Sequence, residues 1–494
     1  MKTATEKPTK GDLMPELSRR RRLLVLAICC ASMIVATMDI SIVTVALPAI
    51  RDDLHATESS LQWTVDAYTL VLACFLVLAG SAADRFGRKR VFQIGLAVFG
   101  IGSLLCGLAS GAGWLVAARA LQAVGGTMLN PVAMAIIATT FPVPAERAKA
   151  IGVFGATSGL ALALGPILGG ALVDHLGWRS VFWINVPIVA VAIVCTLLFV
   201  PESRAERARR FDPVGQVLVI LLLGSVVYAI IESGRLGWTS PAILGLLVVA
   251  VLAVVALIAY EPRRRDPLLE LRLFRSVPFA SAIVIAIAAL CGFGSFLFLT
   301  TQYLQDIRGM SAITAGLSLL PAGVMIAVVS PISGRIVGAR GPRLPLLVSG
   351  GTLALGGLAS LWLAPDTPLL AVLAIYVLFG VALATSAAPI TNTAVSGMPR
   401  SMAGVAASVA SAGRQTGTTL GVAIAGATVG AALSQGGSAF TTAEHGVWWL
   451  SAGLGVAIVA LGLLSTGAWA TKTAARAAAL FEEVDLGRGQ RVPV

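Results

Sequence analysis

Fourteen stretches of about 20 mostly apolar residues run through this 494-residue chain. They lie near 23–48, 60–83, 91–111, 114–138, 149–173, 180–201, 214–232, 241–260, 279–303, 313–337, 344–364, 368–392, 402–431 and 446–470. Each is long enough to cross a hydrocarbon layer as a helix. Lipid offers no water to an open backbone, so the expected fold is an all-α polytopic membrane protein. Composition agrees: 57% of residues are apolar and 12% charged, which excludes a soluble domain. The first run follows a basic arm with no small-residue cleavage site, so it reads as a retained span and not a signal peptide.

The net charge of +12 could indicate nucleic acid, but its placement argues for topology. With both termini on one side, 30 of the 36 Lys and Arg fall on that side. Arg51, Arg179, Arg235 and Arg308 fall on the other, and Arg119 and Arg414 lie within spans. Basic residues mark the cytoplasmic face, so both termini are expected in the cytoplasm and the protein in the cytoplasmic membrane.

Asp39 is the only ionisable residue between Arg22 and Arg51. A carboxylate near mid-bilayer costs roughly 2.5–3.5 kcal/mol to insert. It needs either a neighbouring helix that satisfies it or a role as a proton-binding group in a wet cavity. Asp66 and Arg119 are the other charges well inside the early runs. At 1.5 Å per residue, Asp39 is about 13 Å, Asp66 about 9 Å and Arg119 about 8 Å from one surface. A long arginine at that depth can reach toward either acid. Asp66 also fits an interfacial residue facing water, and Arg119 a snorkelling anchor.

A repeat organises the chain. Gly80-Ser-Ala-Ala-Asp84-Arg85-Phe-Gly87-Arg88-Lys89-Arg90 follows the second run, and Gly334-Arg-Ile-Val-Gly338-Ala-Arg340-Gly341-Pro-Arg343 follows the tenth. If runs seven and eight are an insert, both loops occupy the same place in six-helix units. The expected plan is a basic arm (1–22), a six-helix bundle (23–201), an inserted helix pair with basic flanks (202–275), a second six-helix bundle (276–470) and a tail (471–494). Repeated halves around a central cavity are a transporter design.

With these motifs in view, the chain resembles the major facilitator superfamily, whose signature after helix two is Gly-x-x-x-Asp-Arg-x-Gly-Arg-Lys. Met38, Asp39, Ser41, Thr44, Ala46, Leu47 and Pro48 resemble the end of helix one in fourteen-helix drug:proton antiporters of the QacA/EmrB type, with Ser41 and Thr44 as departures. Arg119 to Gly126 resembles the helix-four motif. Gly155-x-x-x-Gly159 with Gly165-Pro166-Ile-Leu-Gly169-Gly170 resembles the helix-five antiporter motif. Gln62 to Tyr68, with Asp66, resembles the QacA type.

The resemblance implies proton-coupled export of lipophilic, cationic drugs or antibiotics by alternating access. Asp39 and Asp66 would carry proton or cation, and Arg119 would tune them. Gly80, Asp84, Arg85, Gly87, Arg88 and Arg90 would form the inner gate, and Gly165-Pro166 would bend or pack helix five. Gln122, Asn392 and Arg414 are further pathway candidates. Between Asp306 and the tail, the acids are Asp366 and Glu444, both expected in outer loops. The last five spans would then carry no acid, which favours monovalent over divalent cations.

No Walker A or His-Glu-x-x-His pattern occurs, so no enzyme, cofactor or metal site is expected. The six cysteines lie in apolar runs as small hydrophobes. Expected partners are small molecules, protons and lipids, not nucleic acid, with the chain a monomer. A dedicated exporter of one antibiotic, a proton symporter running inward and a non-transporting sensor are the alternatives.

Overall fold

The computed structural model describes residues 18–204, 211–264, 267–398, 400–433 and 437–489. Among these, every element of regular structure is helical. In order they are α1 (Arg19–Leu54), α2 (Glu58–Phe86), α3 (Arg88–Gly107), α4 (Ala112–Thr140), α5 (Pro144–Leu176), α6 (Ser180–Trp183), α7 (Asn185–Phe199), α8 (Pro213–Leu236) and α9 (Pro241–Tyr260). There follow α10 (Val277–Gln302), α11 (Ala312–Ser318), α12 (Leu320–Arg340), α13 (Arg343–Ser360), α14 (Leu369–Ala384), α15 (Ala387–Val395), α16 (Arg400–Leu433), α17 (Gly437–Ser465) and α18 (Ala468–Gly489).

Among the described residues, twelve helical segments are long and apolar enough to cross a membrane. The other two expected runs are also helices. α13 is short and opens on Arg343, and α16 carries Arg414, Gln415, Thr416, Thr418 and Thr419. Three expected runs are interrupted: α6 yields to α7 at Ile184, α11 to α12 at Leu319, and α14 to α15 at Thr385–Ser386. Each break lies a few residues before a proline (Pro187, Pro321, Pro389). A proline has no N–H to give and crowds the preceding turn.

The repeat has a shared geometry. Gly87 ends α2 at φ +107° and its N–H bonds to Ala83 O; Gly341 ends α12 at φ +80° and bonds to Val337 O. Both conformations are left-handed, which explains a glycine at each.

Helices α1–α7 pack as one bundle and α10–α17 as a second. The bundles meet where α2 lies on α16 and where α5 lies on α11 and α12. α8 packs against both α2 and α16, and α9 packs on α8. The starts of α1 and α10 share one end, here the terminal end: Arg22 pairs with Glu146 at 2.6 Å, and Val277 N–H bonds to Thr473 Oγ1 at 3.0 Å. α18 docks there through buried Ala470, Ala474 and Ala477. The arm 1–17, loop residues 205–210, and the side chains of Arg400, Phe481, Glu482 and Glu483 lie outside the described set.

At the opposite, distal end the bundles are joined. Arg51 makes a two-pronged ion pair with Asp306, at 2.5 and 3.1 Å. Gln305 donates to Val45 O at 3.0 Å. Asp174 of α5 accepts from the Ala312 and Ile313 N–H groups at the start of α11, at 3.2 and 2.9 Å. Gly170 sits on the backbone of Ala312 and Gly316 on the backbone of Pro166, with no room for a Cβ at either.

One expectation is overturned. α17 begins at Gly437, nine residues before the expected run. Glu444 is therefore inside a helix and fully buried, not in a loop. Phe440, one turn earlier, is also fully buried and anchors that extra length. The second bundle does hold an acid of its own, and the argument against divalent cations loses its premise. Asp366 lies in a turn, as expected.

Candidate functional site

Asp39, on α1, is fully buried. Its Oδ2 is paired with Arg119 Nη1 of α4. Its Oδ1 accepts from Gln122 Nε2 at 2.8 Å and from Asn185 Nδ2 of α7 at 3.0 Å. Gln122 Nε2 also lies 2.7 Å from Ser103 Oγ of α3, and its Oε1 accepts from Arg119 Nη1 at 2.7 Å. Arg119 Nε donates to Thr64 O of α2 at 3.0 Å, and its guanidinium stands 4.3 Å from the Tyr68 ring centre. Five helices, α1 to α4 and α7, thus meet in one network around this carboxylate, which itself takes donors from α4 and α7. Three donors on two oxygens is an arrangement for a negative charge. Breaking a buried pair by removing one member typically costs about 3–5 kcal/mol.

Arg119 and Gln122 were legible in the sequence; Asn185 and Ser103 were not singled out. Asn185 carried a usable signal, an amide inside an apolar run.

Asp66 occupies a different place. It is fully buried, but its nearest hydrogen-bond donor is Thr69 Oγ1 at 3.4 Å, and Oδ2 has no partner. Thr69 Oγ1 in turn accepts from Thr419 Oγ1 of α16 at 2.8 Å. One turn toward the distal end, Gln62 packs where a Cβ on Gly426 of α16 would sit. Asp66 therefore lies at the seam between the bundles. Arg119 does not pair with it: the arginine that could have reached either acid is committed to Asp39.

The α2–α3 loop forms its own cluster at the terminal end. Asp84 Oδ1 accepts from Arg88 Nη2 at 3.1 Å. Glu202, not anticipated, accepts from the Lys89 N–H at 3.2 Å and lies 3.7 Å from Arg90 Nε. The Arg85 guanidinium lies 5.3 Å from the Phe211 ring centre, just before α8. Gly80 faces open space. Asp84→Asn is expected to lower transport several-fold while leaving ligand binding to purified protein unchanged, because the lost charge touches loop partners and no cavity. Paired transport and binding assays check it, and equal loss in both would contradict it.

On α5, Gly165 and Gly169 seat against Ser41 and Ile42 of α1, and Gly159 lies near Ile326 of α12. Gly155 is exposed. α5 runs unbroken through Pro166, which lines a small cavity between the bundles with Leu162, Phe293, Phe296, Leu319 and Ile326. Asn392 is exposed. Arg414 Nη2 bonds to Ser411 Oγ at 2.6 Å, with Nη1 unpartnered. Among the described residues, no group of three or more His, Cys, Asp or Glu could hold a metal.

Comparison with known proteins agrees with this architecture. The family profile described as Major Facilitator Superfamily matches residues 29–422. The chain is 38% identical over 415 residues to the multidrug resistance protein Stp of Mycobacterium tuberculosis, covering 84% of this chain and 77% of that one. It is 38% identical over 406 residues to the tetracenomycin C resistance and export protein of Streptomyces glaucescens, covering 81% and 74%. Among solved structures, a POT family transporter in complex with a thioalcohol-conjugated peptide superposes with a TM-score of 0.64 at 14% identity, covering 89% of this chain and 94% of that one.

Proposed function

The chain belongs to the Major Facilitator Superfamily, and from that premise we propose that it is a proton-coupled antiporter exporting lipophilic cationic drugs or antibiotics. It is a multi-pass membrane transporter rather than an enzyme. The observation that carries the coupled reading is Asp66, a buried carboxylate with one unpartnered oxygen at the seam between the bundles. Rocking apart at the distal end would part α2 from α16 and wet this acid, and closing would bury it again. Asp39 is then the fixed charge that Arg119 shares with the pathway, and one partner must let go before Asp39 takes a proton or a cation.

The finer topology belongs to this proposal: fourteen spans, with both termini cytoplasmic and the distal end extracellular. The 30-to-4 charge split supports it, as does the packing of α13 and α16 inside the second bundle. In this orientation the joined distal end closes the extracellular side. Because Glu444 lies in the second bundle, the substrate reading carries no limit on valence. The protein is proposed to act as a monomer, driven by the proton gradient without a cofactor.

In proteoliposomes with an acidic lumen, ethidium is expected to accumulate inside while lumenal pyranine reports proton exit in step. Accumulation that ignores the gradient would end the antiport reading. A dedicated antibiotic exporter is the second reading, favoured by the tetracenomycin C relative. It predicts that tetracenomycin C, and not ethidium, drives proton exit in the same vesicles.

A further inference from the structure

Glu444 is a buried acid of the second bundle for which neither the family motifs nor the site above has a use. It lies seven residues into α17 from its distal start, with no exposed surface. Neither carboxylate oxygen accepts a well-formed hydrogen bond, and no cation pairs with either oxygen among the described residues. Trp448, one turn on, is also buried, and its indole N–H likewise lacks a hydrogen-bond partner. Tyr303, just after α10, and Tyr376 of α14 lie within electrostatic reach.

The other charges on the elements packed around α17 are engaged or remote. Arg308 donates to Thr367 O at 2.8 Å, and Asp306 is paired with Arg51. Arg414 bonds to Ser411, and Arg343 heads α13 at the terminal end.

A chain of aromatic rings runs from Trp448 to the cavity between the bundles. Phe379 lies 5.8 Å from Trp448 and stacks at 4.3 Å on Phe296, which also meets Tyr376 at 5.1 Å. Phe296 is a wall of the cavity beside Pro166. On the other side, the Tyr303 hydroxyl donates to Ala364 O at 2.7 Å, in the distal loop between α13 and α14. Glu444 thus stands between the distal surface and the aromatic back of the cavity.

An unpaired ionised carboxylate in apolar packing costs several kcal/mol, so the group must hold something. Both oxygens are buried without a partner, and a proton needs no cavity to occupy such a place. We propose that Glu444 is a second proton-binding site, in the second bundle, loaded from the distal face past Tyr303. The step is a simple proton transfer. A hydronium ion in water reaching Tyr303 gives its proton to a Glu444 oxygen: its O–H bond breaks, one forms on the carboxylate, neutral water is left, and the reverse returns the proton, with no change of oxidation state. Its contribution to coupling rests on the antiport reading above; its protonation does not.

The test is infrared difference spectroscopy of the purified full-length protein across a pH titration, following the C=O stretch of a protonated buried acid. Wild type is expected to show a titrating band that is lost in Glu444→Gln and kept in Asp39→Asn and Asp66→Asn. Glu444→Asp, which keeps the acid, is expected to show the band at a shifted frequency, and it decides the matter if the glutamine variant does not fold. A spectrum unchanged in Glu444→Gln, or a band unshifted in Glu444→Asp, overturns the proposal. In proteoliposomes, Glu444→Gln is expected to move fewer protons per cation than wild type. Wild-type vesicles that exchange no protons at all would sink the antiport reading while leaving the infrared result to decide the site.

Discussion

Asp39→Asn is expected to abolish gradient-driven efflux and to lower thermal stability as well. The substitution removes the charge that faces Arg119 and leaves a fully buried guanidinium with the Gln122 amide, the Thr64 carbonyl and the Tyr68 ring as partners but no counter-charge. That cost is about 3–5 kcal/mol, enough to confuse a loss of coupling with a loss of fold. The double variant Asp39→Asn/Arg119→Gln separates the two. It removes both charges while leaving amides that can bond to Gln122 and Asn185, so the melting temperature is expected to recover most of the loss. Transport is not expected to recover, because no titrating group remains at that place. Ethidium transport and melting curves on both variants check this. A double variant that transports like wild type would make the pair a purely structural device.

The second large effect is steric. Gly170 and Gly316 are each in contact with the backbone of the opposite bundle. Gly170→Val or Gly316→Val therefore adds side-chain atoms where nothing flexible can yield. Overpacking costs about 1–3 kcal/mol. Here it falls on one conformation only, the one closed at the distal end, so the equilibrium shifts roughly 5- to 150-fold toward the open form. The expected result is transport near background with the protein still folded. A cysteine placed at Ala315, fully buried at this contact, should become reactive to an impermeant thiol reagent added from the distal side. Unchanged labelling with lost transport would mean that the glycines matter for something other than closure.

The sequence made the Asp39–Arg119 pair readable because charges inside apolar runs are conspicuous and must find each other. What it could not show is the choice of partner. Helical rise places Arg119 at a depth suited to Asp39 and to Asp66 alike, and only the packing of α2 on α16 turns Asp66 away toward Thr419. Glu444 was misplaced for a related reason. Thr441-Thr442-Ala443-Glu444-His445-Gly446 is polar enough to read as a loop, and it becomes helix because Phe440 and Val447 are buried on either side of it. The proline breaks in three runs had a clear local cause, yet Pro48, Pro131, Pro166 and Pro331 sit inside unbroken helices. Local chemistry alone does not say which prolines a bundle will absorb.

The contact of α8 with both α2 and α16 has a bearing on how a greasy molecule gets in. Two packed bundles have two seams along their flanks, and a compound dissolved in the membrane could slip through either. On one flank α8 covers the seam, tied to α2 by Ser59 and Trp63 on Glu232, at 2.7 and 3.3 Å, and by Gln216 on Cys74 O, at 2.9 Å. The opposite flank, where α5 meets α11 and α12, has no such cover among the described helices. The two flanks of the paired bundles therefore differ, one seam being covered and the other bare, and under the proposed export a lipid-borne compound would meet one uncovered seam instead of two.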